Sequence, residues 1–140
     1  MGLNELQEKD YDRIHGIFKR VFDRTKWEQD FFEAWRKRNR KGSLGAYSED
    51  GNLLAYAITT DKSDGGWFLE FLAVDPESQG SGLGTVLLQA LKQMNPKISL
   101  VPVNNQKLIH WYKKHGFEII AEKKDKWGDP ELLMSSIKGI

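Results

Sequence analysis

The chain has 140 residues, 21 basic against 20 acidic side chains for a formal net charge of +1, and no cysteine. One domain spanning residues 1–140 is expected at that length. The near-neutral charge argues against a protein that grips a nucleic-acid backbone, and the lack of cysteine excludes disulfides, zinc–thiolate sites, iron–sulfur clusters and a cysteine nucleophile.

The longest apolar runs are about four residues, far below the ~20 that cross a bilayer. His15, His110 and His115 lack metal-site spacing. The opening Met1-Gly2-Leu3-Asn4-Glu5 has no basic segment leading into an apolar one. The expectations are a cytoplasmic protein with no signal peptide, no membrane, no nucleic acid and no metal.

In chain order, residues 3–6 read as a short strand and residues 10–22 as a helix with Ile14, Ile17, Phe18, Val21 and Phe22 on one face. Thr25 and Glu28 have capping-box spacing and predict a second helix starting near Lys26, with Trp27, Phe31, Phe32 and Trp35 on its apolar side. It runs into a basic stretch from Arg36 to Lys41, read most simply as a solvated helix end and otherwise as a contact for an anionic partner or a cofactor. Residues 43–48 and 53–60 are expected strands, joined by a hairpin turn at Glu49-Asp50-Gly51-Asn52. Residues 67–74 form a strand apolar on both faces, as a central strand requires. After a glycine-rich loop come a helix over 82–93, a strand over 98–101, a helix over 105–115 and closing strands over 117–121 and 132–137. The order predicts an α/β fold, of α+β mixed-sheet type, with about seven strands flanked by about four helices.

The loop Gln79-Gly80-Ser81-Gly82-Leu83-Gly84 lies between a buried strand and a helix. Such a turn aims backbone N–H groups, and the positive end of a helix, at an anion. A dinucleotide fingerprint starting at Gly80 needs glycine where Thr85 stands, and a P-loop needs a lysine the loop lacks. Taken alone, the segment is equally well a tight turn that packs helix on strand.

A wider pattern decides between them. Gln79, Gly82 and Gly84 in Gln-x-x-Gly-x-Gly spacing, preceded by Leu72-Ala73-Val74-Asp75-Pro76, resemble the acetyl-CoA signature of the GNAT acetyltransferase superfamily. Asn105, with Tyr112 seven residues later and Gly116-Phe117 four after that, resembles the family's next motif. The resemblance implies a GNAT-like fold with a mixed, mostly antiparallel sheet, and an acetyl-CoA-dependent N-acetyltransferase acting on a primary amine. It implies coenzyme contacts from Leu72, Ala73, Val74, Gln79, Gly80, Ser81, Gly82, Leu83, Gly84, Thr85, Asn105 and Tyr112. Family members often carry Arg or Lys where Ser81 stands; here backbone amides would hold the diphosphate, and Lys107, Lys113 and Lys114 are candidates for the coenzyme's other phosphate.

Without cysteine there is no cysteine acyl-enzyme, so direct transfer in a ternary complex is expected. The family places a tyrosine like Tyr112 near the cofactor sulfur, and an ordinary tyrosine pKa near 10 keeps it able to donate a proton; the other reading is a core aromatic. Strand alternation puts Glu70 on one face with Phe68, Leu72 and Val74. A carboxylate there is costly to bury unless paired or used, and desolvation tunes it toward a general base. An ion pair, or a water relay to another acid such as Asp75, are its alternatives. Asn105 also suits a helix N-cap.

In the family, the first two helices line the acceptor site. Phe22, Trp27, Phe31, Phe32 and Trp35, with Glu28, Asp30 and Glu33 between them, would make an aromatic and acidic wall for a cationic amine, if they are not simply an amphipathic helix packed on the sheet. Trp27, Phe31 and Glu70 are the candidate acceptor contacts. A small-molecule amine, such as a polyamine or amino acid, is preferred because the domain is minimal and nearly neutral. A protein amine (lysine or N-terminal), a non-catalytic acyl-CoA sensor and a nucleotide or nucleic-acid binder are the rivals. A monomer or homodimer is expected.

Overall fold

A computed structural model describes residues 2–22 and 25–136. The strands are β1 (Gly2–Glu5), β2 (Leu44–Tyr47), β3 (Leu53–Asp61), β4 (Trp67–Val74), β5 (Ile98–Leu100), β6 (Glu118–Lys124) and β7 (Pro130–Ser135). The helices are α1 (Tyr11–Phe22), α2 (Glu28–Lys37), α3 (Leu83–Met94) and α4 (Gln106–Lys114). One sheet runs β1-β2-β3-β4-β5-β7-β6, parallel only between β4 and β5. This is the mixed, mostly antiparallel sheet expected. Among the described residues no helix is long and apolar enough to cross a membrane.

Period-two alternation in β3 shows how the sheet divides two cores. Ala55 and Ala57 face Leu83, Leu87, Leu88 and Leu91 of α3 and Ile109 and Tyr112 of α4. Tyr56 and Ile58 face Ile14, Ile17 and Phe18 of α1 and Phe31, Ala34 and Trp35 of α2. The turn after β2 closes as read from the sequence, with Gly51 at φ 83° and its N–H on the Ser48 carbonyl.

Several local expectations give way to tertiary contacts. The capping box at Thr25 and Glu28 does not form. A single 3-10 turn (Thr25–Trp27) precedes α2, and the Glu28 carboxylate instead takes His15 Nε2 at 2.8 Å, tying α2 to α1. The basic stretch after α2 is not uniformly solvated. Arg38 is buried, its guanidinium lies 3.6 Å over the Trp35 ring, and it bonds the Trp35 carbonyl and Glu8. β6 extends to Lys124 rather than stopping at Ala121, and all its residues are exposed. It is an edge strand, where charged side chains are at home. β7 begins at Pro130, a tolerated first strand position, instead of residue 132; Ile137, its expected end, lies outside the described residues.

The alternation expected in β4 is broken. Ile58 pairs with Phe71 and Thr59 with Leu69, so Glu70 is the extra residue of a β-bulge. Beyond it the faces exchange. Leu72 and Val74 pack with Trp67 and Leu69 against α3 and α4, while Phe71 and Ala73 pack against α1 and α2. Glu70 therefore does not share a face with Leu72 and Val74; its carboxylate accepts from the Thr60 hydroxyl at 2.7 Å.

Candidate active site

β4 and β5 pair only at Trp67–Ile98, Phe68–Ser99 and Leu69–Leu100. Beyond Leu69, β4 continues to Val74 on β3 alone, and the chain after Leu100 turns away toward α4. The parted strands open a cleft of about 1630 Å³ that runs from the glycine loop, past Glu70 and Tyr112, to a far end between α2 and the β6–β7 turn.

At the loop end the wall is mostly main chain. Leu72, Ala73 and Val74 line it with their backbone edge, for their side chains belong to the cores. Gly80 and Gly82 have φ of 85° and 84°, a region costly to other residues, and a Cβ on either would meet nothing within 4 Å. These glycines serve conformation, not tight packing. Gly82 caps α3 without a side chain, so no side-chain oxygen covers the N–H groups of the first turn, Leu83, Gly84 and Thr85. Those groups and the helix end favour an anion. Gln79 lines the cleft and its amide donates to the Val74 carbonyl at 3.3 Å, bracing the loop on β4. Ser81 is directed elsewhere: its hydroxyl bonds the Ser78 carbonyl and it does not line the cleft. The Thr85 hydroxyl lies 3.3 Å from His115 Nε2, and His115 Nδ1 lies 2.8 Å from the Trp111 carbonyl. A carbonyl only accepts, so Nδ1 carries the proton and, in the neutral ring, Nε2 accepts from Thr85.

On the opposite wall Asn105 is the N-cap of α4, accepting from the Lys107 and Leu108 amides at 2.9 and 3.3 Å, and it also lines the cleft. The N-cap reading is borne out, and the residue also faces the space where the coenzyme contact was expected. Lys107 lines the cleft; Lys113 and Lys114 do not. Tyr112 is buried, edge-on to Trp111 and Phe117, and reaches the cleft. Its hydroxyl has no hydrogen-bond partner among the described residues, and burial raises its pKa well above the usual tyrosine value. It stays protonated throughout the physiological range.

Glu70 faces the same space. Burial raises its pKa above the usual glutamate range and the charge of Asp30 adds to that, while the Thr60 hydroxyl and Lys37 oppose it. Among these, burial is the largest influence. Asp75, the other acid considered for a relay, is engaged elsewhere. It is buried, held by Arg20 at 2.6 Å and Arg13 at 3.2 Å, and lies off the cleft.

The far end is built of side chains. Trp27 lines it with Val21, Phe22, Asp30 and Glu33. Phe31 does not: it is 0% exposed, 4.5 Å from the Phe18 ring centre and packed on Phe71. It belongs to the core with Trp35, while Phe32, expected on the same apolar side, is 46% exposed and does not line the cleft. The opposite bank was not anticipated. Asp125, Trp127 and Asp129 of the β6–β7 turn line the cleft, with Glu131 at the start of β7. Asp125 shapes the turn by accepting from the Trp127 and Asp129 amides at 2.8 and 2.9 Å. The available signal was a tryptophan in an otherwise polar Asp-Lys-Trp-Gly-Asp-Pro turn.

Residues 4–117 match the family model described as Acetyltransferase (GNAT) family. The chain is 31% identical over 142 residues to the peptidyl-lysine N-acetyltransferase YjaB of Escherichia coli strain K12, covering 96% of this chain and 95% of that protein. Among solved structures, Ard1 from Thermoplasma volcanium superposes with a TM-score of 0.81 at 18% identity, covering 96% of this chain and 95% of that one. An aminoglycoside 6′-N-acetyltransferase complexed with coenzyme A superposes with a TM-score of 0.76 at 15% identity, covering 96% of each chain. The chain belongs to the GNAT acetyltransferase family. It is an N-acetyltransferase.

Proposed function

We propose that the protein transfers the acetyl group of acetyl-CoA to a primary amine by direct attack within a ternary complex. The observation that carries this reading is the convergence of an unpaired strand edge, a glycine loop with open amides, Glu70 and Tyr112 on one cleft. The diphosphate is held by the amides of residues 80–85; a structural neighbour, the aminoglycoside 6′-N-acetyltransferase, is itself complexed with coenzyme A. The pantetheine arm lies along Leu72–Val74, and an N–H near Val74 polarises the thioester carbonyl.

Glu70 takes a proton from the ammonium, directly or through water, leaving the lone pair that attacks the acetyl carbon. The tetrahedral adduct collapses with breakage of the C–S bond; Tyr112 gives its proton to the departing thiolate and regains one from the nitrogen, which sheds its second proton to become the neutral amide, and Glu70 releases its proton to solvent. The chain has no cysteine to carry the acetyl group between the two. The open far end and the activity of the 31% identical relative support a lysine side chain as acceptor. A small polyamine or amino acid, which the small neutral domain favours, presents the same alkylammonium.

Calorimetric titration with coenzyme A, and thiol release from acetyl-CoA with a panel of lysine peptides and small amines, test the reading. Binding with turnover on at least one amine is expected; binding without turnover points to a sensor. Tyr112→Phe is expected to lower kcat by about 10²-fold with coenzyme affinity unchanged, and an unchanged kcat removes Tyr112 as the acid.

A further inference from the structure

The far end of the cleft is spanned by two reciprocal ion pairs. Lys26, before α2, reaches Asp129 of the β6–β7 turn at 3.1 Å, and Lys126 of that turn reaches Asp30 of α2 at 2.9 Å. Each bank gives one lysine and one aspartate. Both ammonium groups also lie over the same indole: Lys26 Nζ is 4.8 Å from the Trp127 ring centre and Lys126 Nζ 4.7 Å. The site thus displays an alkylammonium group held twice in one way, by a carboxylate and an aromatic ring together.

These contacts are easily exchanged. The side-chain exposures are 37% and 60% for the first pair and 61% and 42% for the second. Exposed pairs of this kind contribute little to stability. An arriving cation can take a lysine's place at the aspartate and on the ring without any net loss of contacts. A neutral group cannot, because it would leave the aspartate unpaired.

We propose that Trp127, with Asp129 and Asp30, is a specificity-determining element that seats a second cationic group on the acceptor, beside the amine being acetylated. The acceptor class is a lysine with a basic neighbour in its peptide, or an amine with two or more ammonium groups. This rests on the acetyl-transfer reading above. Lys26 and Lys126 hold the two seats when no acceptor is bound. Trp127, Asp30, Asp129 and Lys26 all line the cleft, so a cation seated there remains on the same molecule as an amine directed at Glu70.

The test uses matched acceptors: two peptides with one lysine each, differing by Arg or Ala two residues away, and 1-aminopentane against 1,5-diaminopentane. Whichever pair is turned over, the dicationic member is expected to have a KM about tenfold lower at low salt, with the gap narrowing as salt rises. Trp127→Leu keeps an apolar side chain and removes the π face; it is expected to close most of the gap by raising the KM of the dicationic member toward that of the monocationic one. Asp129→Asn, which does not touch the ring, is expected to narrow it independently. A wild-type enzyme indifferent to the second charge, or a gap that survives Trp127→Leu and Asp129→Asn, overturns the proposal. Absence of turnover on every amine overturns the acetyl-transfer reading instead.

Discussion

The two ends of the cleft are built from different parts of the polypeptide. At the glycine loop the surface is backbone: the free edge of β4 and the amides that begin α3. At the far end it is side chains gathered from the 3-10 turn before α2, from α2 and from the β6–β7 turn, joined by exposed ion pairs. Backbone recognition is indifferent to most side chains but intolerant of any that alter φ or fill the space. Side-chain recognition can be rewritten one residue at a time. One end suits a ligand that does not change, and the other a ligand that does.

The sharpest way to break that contrast is Gly82→Glu. The substitution forces a φ of 84° on a residue with a Cβ and puts a carboxylate where an anion is expected. Coenzyme A affinity is expected to fall by more than ~100-fold by calorimetry, while a melting curve shows a folded protein, since a Cβ at 82 meets no neighbour within 4 Å. Retained affinity would mean that the loop is only a turn.

The same contrast explains what could be read from the sequence. Gly80 and Gly82 are legible because φ near 85° selects glycine, and Asn105 because a helix start selects a capping side chain. The order of strands and helices followed from periodicity. The bulge at Glu70 was not legible: nothing in Leu69-Glu70-Phe71 marks an extra residue, and a single slip reverses every later face of the strand. Nor was the bank at 125–131, because β6 reads Glu-Lys-Lys at its end, which resembles loop, and its pairing with β7 is decided across a turn. Phe31 and Trp27 read in the sequence as the apolar side of one helix, but Trp27 falls in the 3-10 turn before α2 and lines the cleft, while Phe31 packs into the core.

Glu70 sits where the ends meet, and its neighbours give effects of opposite sign. A general base must be deprotonated, so kcat/KM falls as pH drops through its pKa, and a raised pKa moves that acid limb to higher pH than an ordinary glutamate gives. Thr60→Val removes a bond that lowers the pKa, so the limb should move to still higher pH. Asp30→Asn removes a charge that raises it, so the limb should move to lower pH. Glu70→Gln should cost about 10²-fold in kcat/KM and flatten the limb. The stability effect has the reverse sense. A folded pKa above the unfolded one means that Glu70 stabilises the fold below the ordinary glutamate range and loses that contribution as pH rises through the folded value. Glu70→Gln is therefore expected to melt higher than wild type above that pH. A pH profile that none of the three variants moves would remove Glu70 as the base.

The smallest expected effects separate the ion pairs themselves. Asp75 is 3% exposed, bonded to two arginines of α1, and its backbone ties the start of the loop to β3, through Asp75 N on the Leu54 carbonyl and Ser78 N on the Asp75 carbonyl. Asp129 holds one lysine at an exposed turn. Asp75→Asn keeps the shape and removes the charge, leaving Arg13 and Arg20 without their buried counter-ion; about 2 kcal/mol of unfolding free energy should be lost in urea titrations. Asp129→Asn should leave the urea midpoint where it is. An equal loss from both would mean that the far-end pairs are structural, and contacts that hold the fold together could not be lent to an acceptor. A loss at Asp75 alone leaves the pairs at Asp129 and Asp30 free to exchange partners, as an acceptor site built of side chains requires.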